Sequence, residues 1–124
     1  MKPSDLSVFI VDDDQSVSGA LRRLMGSAGF IKVETFNGAE EFLKRAVLEG
    51  DLLLVLDVLL PGMSGIELHQ HIRKSGLSVP TVFISAQEHQ LEKARKLCPE
   101  ALAYLLKPFR GEELLEAARR ASKN

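Results

Sequence analysis

Short apolar runs alternate along the chain with longer stretches whose apolar positions recur every three or four residues, a pattern that predicts strand followed by helix five times over. Val8-Phe9-Ile10-Val11 is a compact run of mostly β-branched or aromatic residues, as in a strand buried on both faces of a parallel sheet, and it stops at Asp12. Val17, Leu21, Leu24, Met25 and Ala28 follow at helical spacing, with Gly29 where a helix commonly ends. Gly19 and Gly26 each cost such a helix roughly 1 kcal/mol relative to alanine, so packing must hold it together. Lys32 to Phe36 alternates polar with apolar, the mark of an edge strand or one with a solvated neighbour, and Asn37-Gly38 closes it.

A second helical stretch carries Ala39, Phe42, Leu43, Ala46 and Val47 on one side and runs to the Gly50-Asp51 break. Leu52 to Leu56 reads as a fully buried strand that stops at a second aspartate, Asp57. After the Pro61-Gly62 turn, Ser64 and Glu67 have the spacing of a capping box, in which each side chain satisfies an exposed backbone donor. A third helix therefore begins near Gly65, buries Ile66, Leu68 and Ile72, and ends by Gly76. Pro80 to Ile84 is a fourth strand with its proline confined to the first position, ending at Ser85. Leu91, Ala94 and Leu97 form the core stripe of a fourth helix that Cys98-Pro99 terminates. Leu102 to Leu106 is a fifth strand, stopping at Lys107-Pro108, and Leu114, Leu115, Ala118 and Ala121 mark a final helix.

Five strand-helix units imply an α/β fold, an open, doubly wound parallel sheet with right-handed crossovers, since they are too few to close an eight-stranded barrel. A length of 124 residues suits one domain spanning 1–124. At 45% hydrophobic and 27% charged, the composition supports a packed core and excludes a disordered chain. The formal net charge of -1 gives no basic field to hold a nucleic acid backbone. No apolar run is long enough to span a bilayer. One cysteine cannot form an internal disulfide, and Met1-Lys2-Pro3-Ser4-Asp5 lacks the apolar core of a secretory signal, which together predict cytoplasmic residence.

The candidate chemistry lies at the strand ends. In an open parallel sheet all carboxyl ends point to one edge, where ligands bind near the reversal of strand order. That edge receives Asp12 and Asp13 from the first strand, Asp57 from the third, Ser85 from the fourth and Lys107 from the fifth. In the order 2-1-3-4-5 the first and third strands are neighbours, which brings the three carboxylates together. Two like charges about 4 Å apart repel by roughly 4 kcal/mol at an effective dielectric of about 20, so a cation is required. Lys107 supplies one charge, and Mg2+, which favours carboxylate oxygens, water and phosphoryl groups, would supply two more. Such a site suits phosphoryl transfer, which needs alignment and charge neutralisation more than acid-base machinery, and an ionised aspartate is a competent nucleophile. Asp57 is the candidate acceptor, with the metal, Lys107 and the Ser85 hydroxyl each partnering one phosphoryl oxygen.

Plainer roles compete for several of these residues. Asp13, Asp14 or Ser16 could cap the first helix, and Ser85 could cap the fourth while also touching a phosphoryl group. His69, His71 and His89 share no face and read as solvated surface, Cys98 as a small buried hydrophobe, and Arg22 and Arg23 as a solvated helix face. An enzymatic alternative is a haloacid-dehalogenase-like phosphatase with Asp12 of Asp12-Asp13-Asp14 as nucleophile, but no acidic pair follows Lys107 at a strand end and Asp57 is then idle. A flavin module needs a phosphate-cradling loop where the three aspartates would repel phosphate, and a nucleotide-triphosphate switch needs a G-x-x-x-x-G-K-[ST] loop that the chain lacks.

Four segments, Val8 to Asp14, Leu56-Asp57-Val58-Leu59-Leu60-Pro61-Gly62-Met63-Ser64-Gly65, Phe83-Ile84-Ser85-Ala86 and Leu106-Lys107-Pro108-Phe109, resemble the signature segments of response regulator receiver domains, in order and over essentially the whole chain. The resemblance implies a flavodoxin-like (βα)5 fold and a switch phosphorylated on Asp57 by a sensor histidine kinase or phosphotransfer protein. Such a domain catalyses its own phosphorylation and dephosphorylation without being an enzyme in the usual sense. It implies that Asp13, Asp57 and the Leu59 carbonyl ligate Mg2+ directly, that Asp12 holds it through water, and that the Lys107-Pro108 bond is cis. It also implies that Ser85 and Tyr104 move on phosphorylation and change a face made by the fourth helix, fifth strand and fifth helix, read by an output domain or effector or used to form a homodimer. Leu59 and Gln87 stand at variable positions that influence phosphoryl lifetime in that family. Cys98-Pro99-Glu100 replaces the small glycine-containing turn usual before the last strand, so the end of the fourth helix is expected to be shaped differently.

Overall fold

The computed structural model describes residues 2–122; Met1 and the last two positions of the expected 1–124 domain lie outside them. A 3-10 turn, Pro3–Asp5, leads into β1 (Ser7–Val11), α1 (Gln15–Ser27), β2 (Lys32–Phe36), α2 (Ala39–Arg45) and β3 (Leu52–Asp57). Then come α3 (Gly65–Lys74), β4 (Thr81–Ser85), α4 (Glu88–Leu97), β5 (Ala103–Leu106) and α5 (Gly111–Ser122). The five strands form one parallel sheet in the order β2-β1-β3-β4-β5, as the pattern predicts. No helix among the described residues is long and apolar enough to cross a membrane.

Alternation along the strands divides the core in two. Phe9, Val11, Leu54, Leu56 and Phe83 face α2, α3 and α4, packing with Phe42, Ile66, Leu68, Ile72, Leu91 and Ala94. Val8, Ile10, Leu53, Val55, Val82 and Ile84 face the other way, onto Leu21 and Met25 of α1 and Leu114, Leu115 and Ala118 of α5. Phe9, Phe36 and Phe42 make a set of edge-to-face contacts with centroids 5.2–5.9 Å apart, which fixes α2 over the edge strand β2.

The local signals act as their chemistry dictates. Asp14 is the N-cap of α1, accepting from the backbone of Ser16 and Val17, so of the three capping candidates it is the one used. The Ser16 hydroxyl, which also donates to Asp14 Oδ1 at 2.7 Å, and then those backbone bonds hold its carboxyl below the ordinary aspartate range. The Ser64–Glu67 capping box closes in both directions at the start of α3.

Three expectations need correction. Helix α2 ends at Arg45, with Ala46 already extended at φ -73, ψ 135, so Val47 loses the helical phase and is exposed, as is Leu43 on the outer flank. Leu97, in the last turn of α4, is also exposed, and the buried stripe there is Leu91, Ala94 and Cys98. His69 is not on the surface but buried, its ring 5.4 Å from that of Phe83, because its place three residues after Ile66 and three before Ile72 puts it on the inner face of α3.

Candidate functional site

Parallel register delivers the site. Val11 pairs with Leu56, so Asp12 and Asp57, each one residue further, emerge level on adjacent strands. Asp57 pairs with Ile84, so Ser85 follows on β4, and Ser85 pairs with Leu106, so Lys107 follows on β5. The Lys107 backbone N–H donates to the Ser85 carbonyl at 2.8 Å, and the Lys107-Pro108 peptide bond is cis, as expected.

The Lys107 ammonium donates to Asp12 Oδ2 at 2.8 Å and to Asp57 Oδ2 at 3.0 Å, bridging two carboxylates that are almost fully buried. Asp12 is committed on its other side too, since Oδ1 accepts the Asp14 backbone N–H at 2.9 Å. Asp57 Oδ1 accepts the Leu59 backbone N–H at 3.1 Å. Asp13 is exposed at the mouth of the cluster, and Asp12, Asp13 and Asp57 each offer an oxygen within 4.8 Å of the others. A pure oxygen donor set of this kind fits a hard divalent cation such as Mg2+.

Electrostatics sets Asp57 apart. Burial first, and the nearby Asp12 charge second, push its carboxyl from the ordinary 3.8 up to about 6, against the opposing Lys107 hydrogen bond. For Lys107, burial alone would lower the ammonium pKa, but the hydrogen bonds and charges of Asp12 and Asp57 outweigh it and the net direction is upward.

Ser85 is fully buried at the rim, and its Oγ accepts the Gln87 backbone N–H at 3.1 Å. Gln87, not Ser85, occupies the N-cap of α4, so the expected capping role is replaced by a local turn bond that leaves the Ser85 hydroxyl proton for an acceptor. Tyr104 lies further along β5, stacked on Phe83 with ring centroids 6.0 Å apart, covered by the Arg95 guanidinium, its hydroxyl donating to the Cys98 carbonyl. It is half-buried. Leu59 is exposed, and Cys98 is buried with its thiol pushed up to about 11, chiefly by desolvation.

One brace was not anticipated. Glu40, on the first turn of α2, reaches across to accept the Met63 backbone N–H at 3.3 Å, tying down the loop after Asp57. The pairing spans 23 residues, so no local pattern announces it.

Known proteins share this sequence pattern and this fold. The pattern described as the response regulator receiver domain matches residues 8–119. The response regulator protein TodT of Pseudomonas putida is 36% identical over 116 residues, 94% of this chain and 51% of TodT. Nodulation protein W of Bradyrhizobium diazoefficiens is 36% identical over 110 residues, 89% of this chain and 48% of that protein. The chain thus spans about half the length of these curated relatives. Among solved structures, FixJ-N superposes with a TM-score of 0.85 at 31% identity, covering 100% of this chain and 97% of that one. TrrA from Thermotoga maritima, solved in complex with Mg(2+)-BeF, does so with a TM-score of 0.79 at 27% identity, covering 93% and 97%. From its strand order, its rim of acidic residues and lysine, and these matches, the chain belongs to the response regulator receiver domains of two-component signalling.

Proposed function

We propose that this receiver domain, spanning 1–124, is a phosphorylation-dependent switch with Asp57 as the phosphoacceptor. The observation that carries the reading is the Lys107 ammonium held between Asp12 and Asp57 where β1, β3 and β5 end at a shared rim. An oxygen of Asp57 attacks phosphorus, the bond from phosphorus to the donor breaks, and the aspartyl phosphate forms without a general base. Lys107, already within 3.0 Å of the Asp57 carboxylate, is placed to transfer its hydrogen bond to a phosphoryl oxygen. The buried Ser85 hydroxyl offers its proton to another. Mg2+ bound by Asp13, Asp57 and the Leu59 carbonyl, with Asp12 behind water, would neutralise the charge of the third, and the Mg(2+)-BeF complex of TrrA supports that choice of ion.

The donor is a sensor histidine kinase or a phosphotransfer protein. The output is read at the face of α4, β5 and α5, where the Tyr104 hydroxyl now engages the Cys98 carbonyl, by an output domain or effector or by a second copy of the chain. The chain acts in the cytoplasm as a phosphoacceptor and does not itself bind nucleic acid, consistent with its net charge of -1. The phosphatase reading leaves Asp57 without a task, although Lys107 contacts it at 3.0 Å much as it contacts Asp12 at 2.8 Å.

With acetyl phosphate and Mg2+, intact-mass measurement is expected to show one phosphoryl group on the wild-type chain and none on Asp57→Asn. Chelating Mg2+ is expected to slow labelling roughly a hundredfold or more, the factor that several kcal/mol of charge stabilisation represents. Normal labelling of Asp57→Asn would overturn the assignment.

A further inference from the structure

Glu100 of the Cys98-Pro99-Glu100 segment, which the phosphoacceptor rim does not use, meets His69 of α3 at a cleft of about 420 Å³ whose other lining residues include Ser78, Pro80 and Leu102. These residues precede β4 and β5, so the cleft lies at the opposite ends of those strands from Ser85 and Lys107. A His69 ring nitrogen, the Cys98 sulfur and a Glu100 carboxylate oxygen all lie within 4.8 Å of one another. Cys98 is fully buried and His69 is 4% exposed, whereas Glu100 stands at the mouth.

The His69 ring carries a second, independent sign. Its Nδ1 is buried with no hydrogen-bond partner among the described residues, and its Nε2 is 3.6 Å from Glu100 Oε1, beyond a hydrogen bond. A neutral imidazole has one N–H and one lone pair. If Nδ1 holds the proton, the Nε2 lone pair faces an anion, and if Nε2 holds it, the Nδ1 lone pair faces nothing. In either tautomer the buried Nδ1 goes unpaired, as a donor in the first and as an acceptor in the second.

We infer that His69, Cys98 and Glu100 form a binding site for a borderline-soft divalent cation of the zinc class, with water as fourth ligand. Mixed nitrogen, sulfur and oxygen donors select such an ion over the hard cations that suit the aspartate cluster. Metal-ligand bonds of about 2.0–2.3 Å require the donors to close inward by roughly 1 Å, which Glu100 at the surface can supply. Arg73, whose Nη1 is 3.0 Å from Glu100 Oε1, then turns into solvent, where more than half of its side chain already lies. On binding, the Cys98 S–H bond breaks, a metal–sulfur bond forms and the proton leaves to water. The bound ion joins α3 to the end of α4 at the residue whose carbonyl accepts the Tyr104 hydroxyl, so occupancy would stiffen the output face. This inference does not depend on the role of Asp57.

The test is a Co2+ titration of the full chain, with excess Mg2+ competing for the aspartate cluster. Cys98 is the single cysteine, so a thiolate-to-cobalt charge-transfer band reports this site alone. The expected result is a band saturating at one ion per chain and bleached by Zn2+. It should be absent in Cys98→Ser, weakened at least tenfold in affinity in Glu100→Gln, and unchanged in Asp57→Asn. Glu100→Gln alters only an exposed position, so the inference remains testable even where Cys98→Ser fails to fold. No band, a band saturating at one ion per two chains, or one indifferent to Glu100→Gln would overturn the inference.

Discussion

A methyl group at Gly65 is expected to destabilise the fold by about 3 kcal/mol or more, lowering the thermal midpoint by roughly 10 °C, and to disturb Asp57 at the same time. A Cβ there would stand 2.2 Å from the Asp57 carbonyl oxygen, 3.0 Å from its carbonyl carbon and 3.1 Å from Leu56 Cγ. The first two obstacles are backbone, so no rotamer change relieves them. Nor can α3 retreat easily, since the Gly65 N–H donates to the Val58 carbonyl at 2.9 Å and the capping box pins the turn before it. The small gain in helix propensity on replacing glycine does not offset such an overlap. Gly26→Ala is the matched control: the same change in α1, with nothing within 4 Å of the new Cβ, is expected to raise stability by up to about 1 kcal/mol. Thermal unfolding followed by circular dichroism separates the two, and a Gly65→Ala protein as stable as wild type would contradict the packing described.

Asp57→Asn is expected to stabilise the metal-free protein at neutral pH, by an amount approaching 3 kcal/mol. The carboxyl is raised from 3.8 to about 6, and a tenfold change in proton affinity corresponds to about 1.4 kcal/mol. Because the folded state holds this proton more tightly than the unfolded chain, stability contributed by Asp57 is complete below about pH 4 and falls as pH rises through 6. This is the reverse of a carboxylate in an ordinary ion pair. The Lys107 ammonium, shifted upward, contributes below 10.5 and is lost only above it, outside that window. Urea unfolding of both proteins on either side of the window, without divalent cations, measures the difference, and Mg2+ should narrow it by stabilising the charged wild-type cluster. A wild-type protein that gains stability relative to Asp57→Asn between pH 4 and 6 would show that Lys107 compensates burial fully.

The strand order and the rim were legible because both depend on short-range pattern. Leu52 to Leu56 and Val8 to Val11 have no polar position, so they had to lie centrally, and the first polar residue after each had to appear at the same edge. What the pattern could not convey was coverage. Leu43 and Leu97 have helical spacing, but α2 lies over an edge strand and Leu97 is in a final turn, so neither meets a second layer. His69 misled in the opposite sense: its polarity suggested solvent, while its spacing from Ile66 and Ile72 already placed it inside. The Glu40 brace and the burial of Asp12 are long-range facts, arising from the packing of α2 and the reach of Lys107 across 95 positions.

Tyr104 is the chain's single tyrosine, and there is no tryptophan. Near-ultraviolet emission from this protein therefore comes essentially from one ring, which lies between Phe83 and the Arg95 guanidinium and is tethered through its hydroxyl. Loss of that tether or of the overlying cation changes the quantum yield of the only strong fluorophore present. The domain thus carries its own optical reporter at β5, and a rearrangement there can be timed without attaching a dye.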